Sequence, residues 1–401
     1  MKVLFWMFIG FDRHATSEHL LSAVIGQLCK EGHTVHIIQK DTGGSRPPIP
    51  ESLTGYPITT DVIPFEAAAK DKLIARYLVE LKYINACKKY ITPGYDAVFI
   101  QSNNVAGFAV KAIRRKLPQA IVTFNVQDVF PYNALFSGSL KRKNLAFKAL
   151  AAVQRYGYKH SDHIITISED MKETLVADGT PPDKIEVIYN WSYQDELYEG
   201  LDLTPVSHMF DQRRFNVVYA GNIGVMQNVD ILIEAAKRMK TDDNVWFHIV
   251  GNGVYKDKLE ARAREYDIRN ISFWPMQPPK LAPMIYASAD VNIIPLAEEI
   301  YRTALPSKTA TCLASNKPTV FVFGPGSRFL EKIEGHFPVL SLDNINADEL
   351  KNAILKSKKM SSFITDKEFY LTFFSKTYNS QKYAKIIHTN IEEKKGIIKK
   401  Q

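Results

Sequence analysis

Short apolar runs alternate with stretches of helical period along most of the chain. The runs VLFWMFI (3–9), TVHIIQK (34–40), DAVFIQS (96–102), AIVTFNV (120–126), HIITIS (163–168) and KIEVIYN (184–190) predict strands. Each is rich in β-branched and aromatic residues and bounded by turn-forming or polar ones. Between the first two, SEHLLSAVIGQLCKEG (17–32) has a helical pattern, with Ser17 as its N-cap and Gly32 past its end. A second series follows: FNVVYAG (215–221), NVWFHIVG (244–251), ISFW (271–274), DVNIIPL (290–296) and PTVFVFG (318–324). Helical patterns over 228–240, 255–267 and 278–289 separate them. Such alternation predicts parallel sheets covered by helices.

The expected class is therefore α/β, with two doubly wound, Rossmann-like domains facing a cleft. The expected limits are 1–195 for the first domain and 214–375 for the second. Residues 196–213 are polar, lack periodicity and read as a linker. Residues 376–401 read as a C-terminal helix packing back toward the first domain, ending in a lysine-rich tail. No repeat of 20 to 50 residues is visible.

Composition narrows the picture. The 401 residues are 45% hydrophobic and 23% charged, which suits folded domains. Cys29, Cys87 and Cys312 are an odd number with no short spacing, which argues against a disulfide framework or a zinc site and fits a reducing cytosol. The apolar start resembles a signal peptide, but it is far shorter than the ~20 residues that span a bilayer. Asp12 and Arg13 follow with no small-residue cleavage site, so the start reads as a buried strand.

Charge changes the picture more. The net charge is +8, and residues 351–401 carry twelve lysines against four acids. Residues 111–160 carry ten Lys or Arg and one acid, Asp128. Such islands suit an anionic partner. The segment 140–160 reads as a basic helix interleaved with Leu145, Phe147, Leu150 and Val153. It fits either an anionic membrane surface or a core-facing helix with a basic outer side. No nucleic-acid recognition fold is present in the pattern.

Candidate chemistry lies at the carboxyl ends of the second series of strands, where open parallel sheets bind ligands. AGNIG carries Gly221 and Gly224, VGNGVYKDK carries Gly251 and Gly253, and LPSK leads from the next strand to Lys308. Glycine lets backbone N–H groups approach a diphosphate, and a helix start adds partial positive charge. Lys308 adds a full charge and Ser307 a hydroxyl. Neither GxGxxG nor a P-loop occurs, so dinucleotide and P-loop sites are excluded. In the first half, Asp128 follows a strand, where it suits either an acceptor hydroxyl or a cap on the turn before Pro131. Arg13 and His14 follow the first strand and suit phosphate; Asn125 and Gln127 suit ordering the same site.

VVYAGNIGVMQNVDILIEAAK, FHIVGNGVYKDKLEARARE, ISFWPMQPP, IYASADVNIIPL and LPSKTATCLASNKPTV together resemble the donor domain of GT-B glycosyltransferases of the retaining family four. HIITISEDMKETLVADGTPPDKIEVIYNW resembles that family's end-of-domain signature. TFNVQDVFP together with LPSK resembles the sub-group that builds bacterial capsule, O-antigen and colanic-acid-type polysaccharides.

The resemblance implies that Gly221, Asn222 and Gly224 line a diphosphate and that Gly251 and Gly253 flank the nucleoside. It places Met276 against the base and Leu305, Pro306, Ser307, Lys308 and Thr309 over the phosphates at a helix start. The sequence departs from the family where many members carry Arg and Lys after the first Gly turn, for here stand Asn222 and Gln227. Where many carry two glutamates, Thr303 and Thr311 stand, Thr311 offering ribose only a neutral hydroxyl. Glu298 and Glu299, just upstream, are the nearest carboxylates for a sugar contact.

The expected activity is thus metal-independent transfer, with retention, from a nucleotide-sugar, first of all a UDP-sugar, to a polyprenyl-diphosphate-linked saccharide. Neither cofactor nor metal is expected, and the expected catalytic residues are Asp128 and Lys308. The expected place is the cytoplasmic face of the plasma membrane, in peripheral contact with anionic lipid. A sugar-nucleotide epimerase of the same fold and a non-catalytic scaffold of an envelope assembly complex are the alternatives.

Overall fold

The computed structural model describes all residues except 13–17, 68–72, 137–139, 243, 361–362 and 399–401. Arg13, His14 and the expected cap Ser17 lie outside the described residues. The chain forms two compact units, one of residues 1–190 with 376–401 and one of residues 191–375.

Among the described residues the first unit holds seven strands: β1 (Lys2–Trp6), β2 (Thr34–Asp41), β3 (Ile58–Pro64), β4 (Ala97–Gln101), β5 (Ile121–Val126), β6 (His163–Thr166) and β7 (Ile185–Val187). All pair in parallel, in the order β3-β2-β1-β4-β5-β6-β7. Strands covered on both faces need continuous apolar runs. Accordingly Val3, Leu4, Phe5 and Trp6 of β1 are fully buried. The expected strands appear here, and β3 is added at the sheet edge, where Thr59, Thr60 and Asp61 interrupt the apolar pattern.

The helices Ala106–Lys116 and Leu145–His160 pack closely, because Gly107 removes the obstacle between them: a Cβ there would lie 1.9 Å from the Val153 carbonyl oxygen. The basic helix is thereby docked along one side, burying Phe147, Ala151, Gly157 and Tyr158. Leu145 at its start remains 82% exposed, beside exposed Lys141, Arg142, Lys143 and Lys148. The C-terminal helix Lys376–Ile398 lies against the helix Glu18–Lys30 of the same unit. Its Asn379 donates to the Tyr189 carbonyl at 2.9 Å, and its Tyr383 hydroxyl donates to Asn125 Oδ1 at 3.1 Å.

The second unit holds β8 (Phe215–Ala220), β9 (Val245–Val250), β10 (Ile271–Trp274), β11 (Val291–Pro295), β12 (Thr319–Val322) and β13 (Val339–Ser341). They pair in parallel in the order β10-β9-β8-β11-β12-β13. Val217, Tyr219, Phe247, Ile249 and Ile293 from the sheet meet Leu232, Ile233 and Leu350 from helices in one apolar core. The helix Ala347–Ser357 is started by Asn346, which accepts the N–H groups of Asp348 and Glu349, as a good N-cap does.

Residues 196–213, expected as a linker, fall within the second unit. Residues 196–213 contain the 3-10 turn Thr204–Met209, and Val206 and Met209 are buried. That segment belongs to the second unit because its apolar residues repeat with a three-residue period and pack inward.

Candidate functional site

In the second unit the strand order reverses between β8 and β11, and such a reversal opens a crevice at the carboxyl ends of the strands. β8 ends in Tyr219 and Ala220 and turns through Gly221, Asn222, Ile223 and Gly224. The turn after β9 packs on it, backbone to backbone. Gly221 N donates to the Val250 carbonyl and Ile223 N to the Asn252 carbonyl, both at 2.9 Å. A Cβ at Gly251 would lie 1.9 Å from the Gly221 oxygen, and one at Gly253 would lie 2.1 Å from the Ile223 oxygen. Thus both glycines are required by the packing of one turn on the other, before any ligand is considered.

The turn carries no charge of its own. Asn222 Nδ2 donates to Gln227 Oε1 at 3.0 Å, so the two positions where the family resemblance led to the expectation of Arg and Lys form a neutral amide pair. The charge arrives from Lys308. Its Nζ is buried and finds no hydrogen-bond acceptor among the described residues. It sits 3.7 Å over the ring of Tyr219, and a Cβ on Gly221 would stand 2.7 Å from it. Burial lowers this amine to about 7, with the nearby Cys312 acting weakly the other way.

Leu305 is buried, Pro306 half-buried and Ser307 exposed. Thr309 N donates to the Pro306 carbonyl at 3.0 Å, starting the helix Thr309–Ala314. That helix has six residues, so its dipole is small. The positive charge here belongs to the Lys308 side chain.

Thr303 and Thr311 are both buried. Thr303 spends its hydroxyl on the Ile300 carbonyl at 3.1 Å, whereas Thr311 lies beside the Tyr198 hydroxyl. Glu298 and Glu299 are exposed on the loop after β11, Glu299 with a left-handed φ of 61°. The same loop is tied to the Gly turn through Ala297 N, which donates to the Met226 carbonyl at 2.9 Å. Met276 follows β10 and is 50% exposed. All these residues share the carboxyl edge of one sheet.

In the first unit Asp128 follows β5, and burial pushes its carboxyl up to about 7. The residues before it are firmly held. Asn125 Oδ1 accepts from Gln127 Nε2 at 3.1 Å as well as from Tyr383. Gln127 Oε1 accepts from Asn190 Nδ2 at 2.9 Å, and Gln127 N donates to Ser102 Oγ at 3.1 Å. These hydrogen bonds fix the side chains of Asn125 and Gln127. In the same unit, the Asp12 carboxylate accepts the N–H groups of Thr42 and Gly44 at 2.8 Å, fixing the loop after β1 to the loop after β2.

Sequence reading missed Tyr219. An aromatic two residues before a glycine turn is an ordinary strand residue, and nothing in the sequence pairs position 219 with position 308. Among the described residues no group of three or more His, Cys, Asp or Glu is arranged to hold a metal ion. No described helix is long and apolar enough to cross a membrane.

Both halves of the chain match glycosyltransferase models: Glycosyltransferase Family 4 over residues 18–191 and Glycosyl transferases group 1 over residues 214–357. A probable glycosyltransferase, WbjE of Pseudomonas aeruginosa, is 22% identical over 335 residues, 82% of each chain. A putative colanic acid biosynthesis glycosyl transferase, WcaI of Escherichia coli, is 29% identical over 213 residues, half of each chain. Among solved structures, Anabaena Alr3699/HepE in complex with UDP and glucose superposes with a TM-score of 0.68 at 14% identity, over 96% of this chain and 99% of that one. The lipopolysaccharide glycosyltransferase WaaG gives 0.66 at 14% identity, over the same shares of the two chains. At such identities the structural likeness speaks to the fold alone, which is the GT-B fold of two Rossmann-like units.

Proposed function

We propose that this chain, a glycosyltransferase of GT-B fold, moves a sugar from a nucleotide-sugar to a polyprenyl-diphosphate-linked saccharide in the synthesis of a bacterial surface polysaccharide. The observation that carries the donor half is the Lys308 ammonium, buried without an acceptor beside the Gly221 turn. A buried cation with no partner is costly, and the diphosphate of a nucleotide-sugar supplies the missing anion. As the bond from the anomeric carbon to the phosphate breaks, negative charge grows on the leaving diphosphate. Lys308 meets that charge where it develops, beside the Gly221 turn. The new bond forms to an acceptor hydroxyl oxygen, whose proton must leave; we assign that proton to Asp128, a carboxylate of the first unit that burial raises to about 7. UDP is the first nucleotide to test, because HepE binds it. Retention of configuration and independence of metal belong to the same reading.

Thermal unfolding with UDP, GDP and ADP, without added metal, tests it. A ligand at a hundred times its dissociation constant stabilises by about 2.7 kcal/mol. A clear rise in Tm with one nucleotide is expected, and no shift with any of them at millimolar concentration removes the donor reading.

The acceptor half rests on the exposed start of the basic helix. Lys141, Arg142, Lys143 and Lys148 surround exposed Leu145, and the first turn of that helix contains no acid. Basic residues near an anionic bilayer contribute about 1 kcal/mol each. Reversing Lys141, Arg142 and Lys143 to Glu is expected to weaken binding to phosphatidylglycerol vesicles by at least ~10²-fold. Tm should hardly move, because all three side chains are exposed. Cosedimentation with anionic and zwitterionic vesicles checks this, and equal binding by variant and wild type defeats the surface.

A further inference from the structure

The diphosphate site contains one residue that nothing above puts to use. Tyr219, fully buried on β8, lies under the Lys308 ammonium with its ring centre 3.7 Å away. Its hydroxyl donates to the Asn222 carbonyl. One side chain thus touches both parts of the site, the cation through its ring and the glycine turn through its hydroxyl.

The other groups around the amine offer it no charge. Cys312, one helical turn beyond Lys308, is fully buried and its thiol is pushed up to about 12, so it is uncharged. The Tyr286 hydroxyl donates to the Ala220 carbonyl at 2.8 Å, and burial keeps it protonated. Burial likewise keeps the Tyr219 phenol neutral. Asn222 and Gln227 are occupied with each other. What remains to stabilise an ammonium here is the negative face of an aromatic ring, an attraction that strengthens when water is excluded.

We propose that Tyr219 is a positioning residue of the donor site, its ring holding Lys308 charged and against the Gly221 turn until a nucleoside diphosphate arrives, and its hydroxyl keeping that turn in place. This rests on the donor reading above. It goes beyond that reading by assigning the readiness of the cation to a residue that does not touch the substrate.

The test separates the ring's electrons from its shape. Tyr219→Phe removes only the hydroxyl. Replacing Tyr219 instead by a phenylalanine trifluorinated on the ring keeps nearly the same volume while stripping the negative face. UDP affinity is followed by calorimetry from pH 5 to 9 for wild type and both variants. In wild type the affinity should fall above about pH 7, where the free protein loses the Lys308 proton. Tyr219→Phe should bind more weakly with the fall at the same pH. The fluorinated ring should bring the fall about 1.5 pH units lower, the size of a desolvated cation–π contact. An unchanged midpoint in the fluorinated protein overturns the proposal and leaves the donor site standing. Failure of the wild type to bind UDP, GDP or ADP overturns the donor reading and this inference with it. Should Tyr219→Phe already move the midpoint as far as fluorination does, the hydroxyl and not the ring holds the cation, and the proposal also falls.

Discussion

Lys308→Met is expected to lower turnover by about 10²–10³-fold, the loss typical of removing one group that stabilises charge in the transition state. It should also abolish stabilisation by the nucleoside diphosphate. Methionine matches the length of the buried stem, so packing against Tyr219 and Cys312 survives while the charge goes. Stability should follow the opposite course. In the unfolded chain this amine has the ordinary value of 10.5, and in the fold burial lowers it to about 7. Between those values the unfolded chain binds more protons, so the contribution of Lys308 to stability rises as pH rises from 7 toward 10.5. Below pH 7 the fold must carry a buried, unpaired charge, and methionine relieves it. The variant should therefore unfold at an equal or higher temperature than wild type at pH 6, while binding no donor. A bound diphosphate favours the charged amine, so near pH 8 wild-type binding should take up a proton that the variant does not. Calorimetry in two buffers of different ionisation enthalpy reads that difference directly. Wild-type turnover in the variant, or identical proton uptake, would dismiss Lys308 from the site.

Asp128→Asn should lower turnover by about 10²–10⁴-fold, the usual range for a group that moves a proton. Here too function and stability should part. Burial raises the Asp128 carboxyl from 3.8 to about 7. Between those values the folded chain holds the extra proton, so stability is lost as pH rises through that window. Above pH 7 the fold carries a half-buried, desolvated carboxylate that asparagine spares it. At pH 8 the variant should be at least as stable as wild type, whereas a merely structural cap would leave it less stable. If the ionised form accepts the acceptor proton, wild-type kcat/KM rises with pH and levels off above about 7, and this limb vanishes in Asp128→Asn. Full activity with a lowered Tm would return Asp128 to the role of a turn cap.

Much of the fold was legible because parallel strands covered on both faces must be continuously apolar. VLFWMFI, AIVTFNV and FNVVYAG could hardly be anything else. β3 escaped notice because an edge strand tolerates Thr59, Thr60 and Asp61, which pair locally: Thr60 accepts from Gln39 Nε2 at 2.9 Å, and Asp61 meets His36 Nε2 at 2.9 Å. Residues 204–209 escaped because a 3-10 turn has neither the helical nor the strand period. At the candidate site, the glycines were legible by spacing, but the reason for two of them was not. Gly251 and Gly253 answer to carbonyls about thirty residues earlier in the chain, through contacts that only folding creates.

By itself the sequence determined most of the stretches that become strands, all but β3 and β13 among the described residues, that they lie in two parallel sheets, and that glycine turns and a lysine fall at their carboxyl ends. These follow from local periodicity and from the backbone freedom of glycine, properties of neighbours in the chain. Tertiary structure alone decided that Lys308 is stranded without an acceptor, that Asn222 and Gln227 neutralise one another's hydrogen-bonding needs, and that Tyr219 lies beneath the cation. Each depends on how far a side chain is removed from water and on which distant groups surround it. Burial turns an ordinary lysine and an ordinary aspartate into groups that titrate near neutrality, and no spacing along a chain records burial.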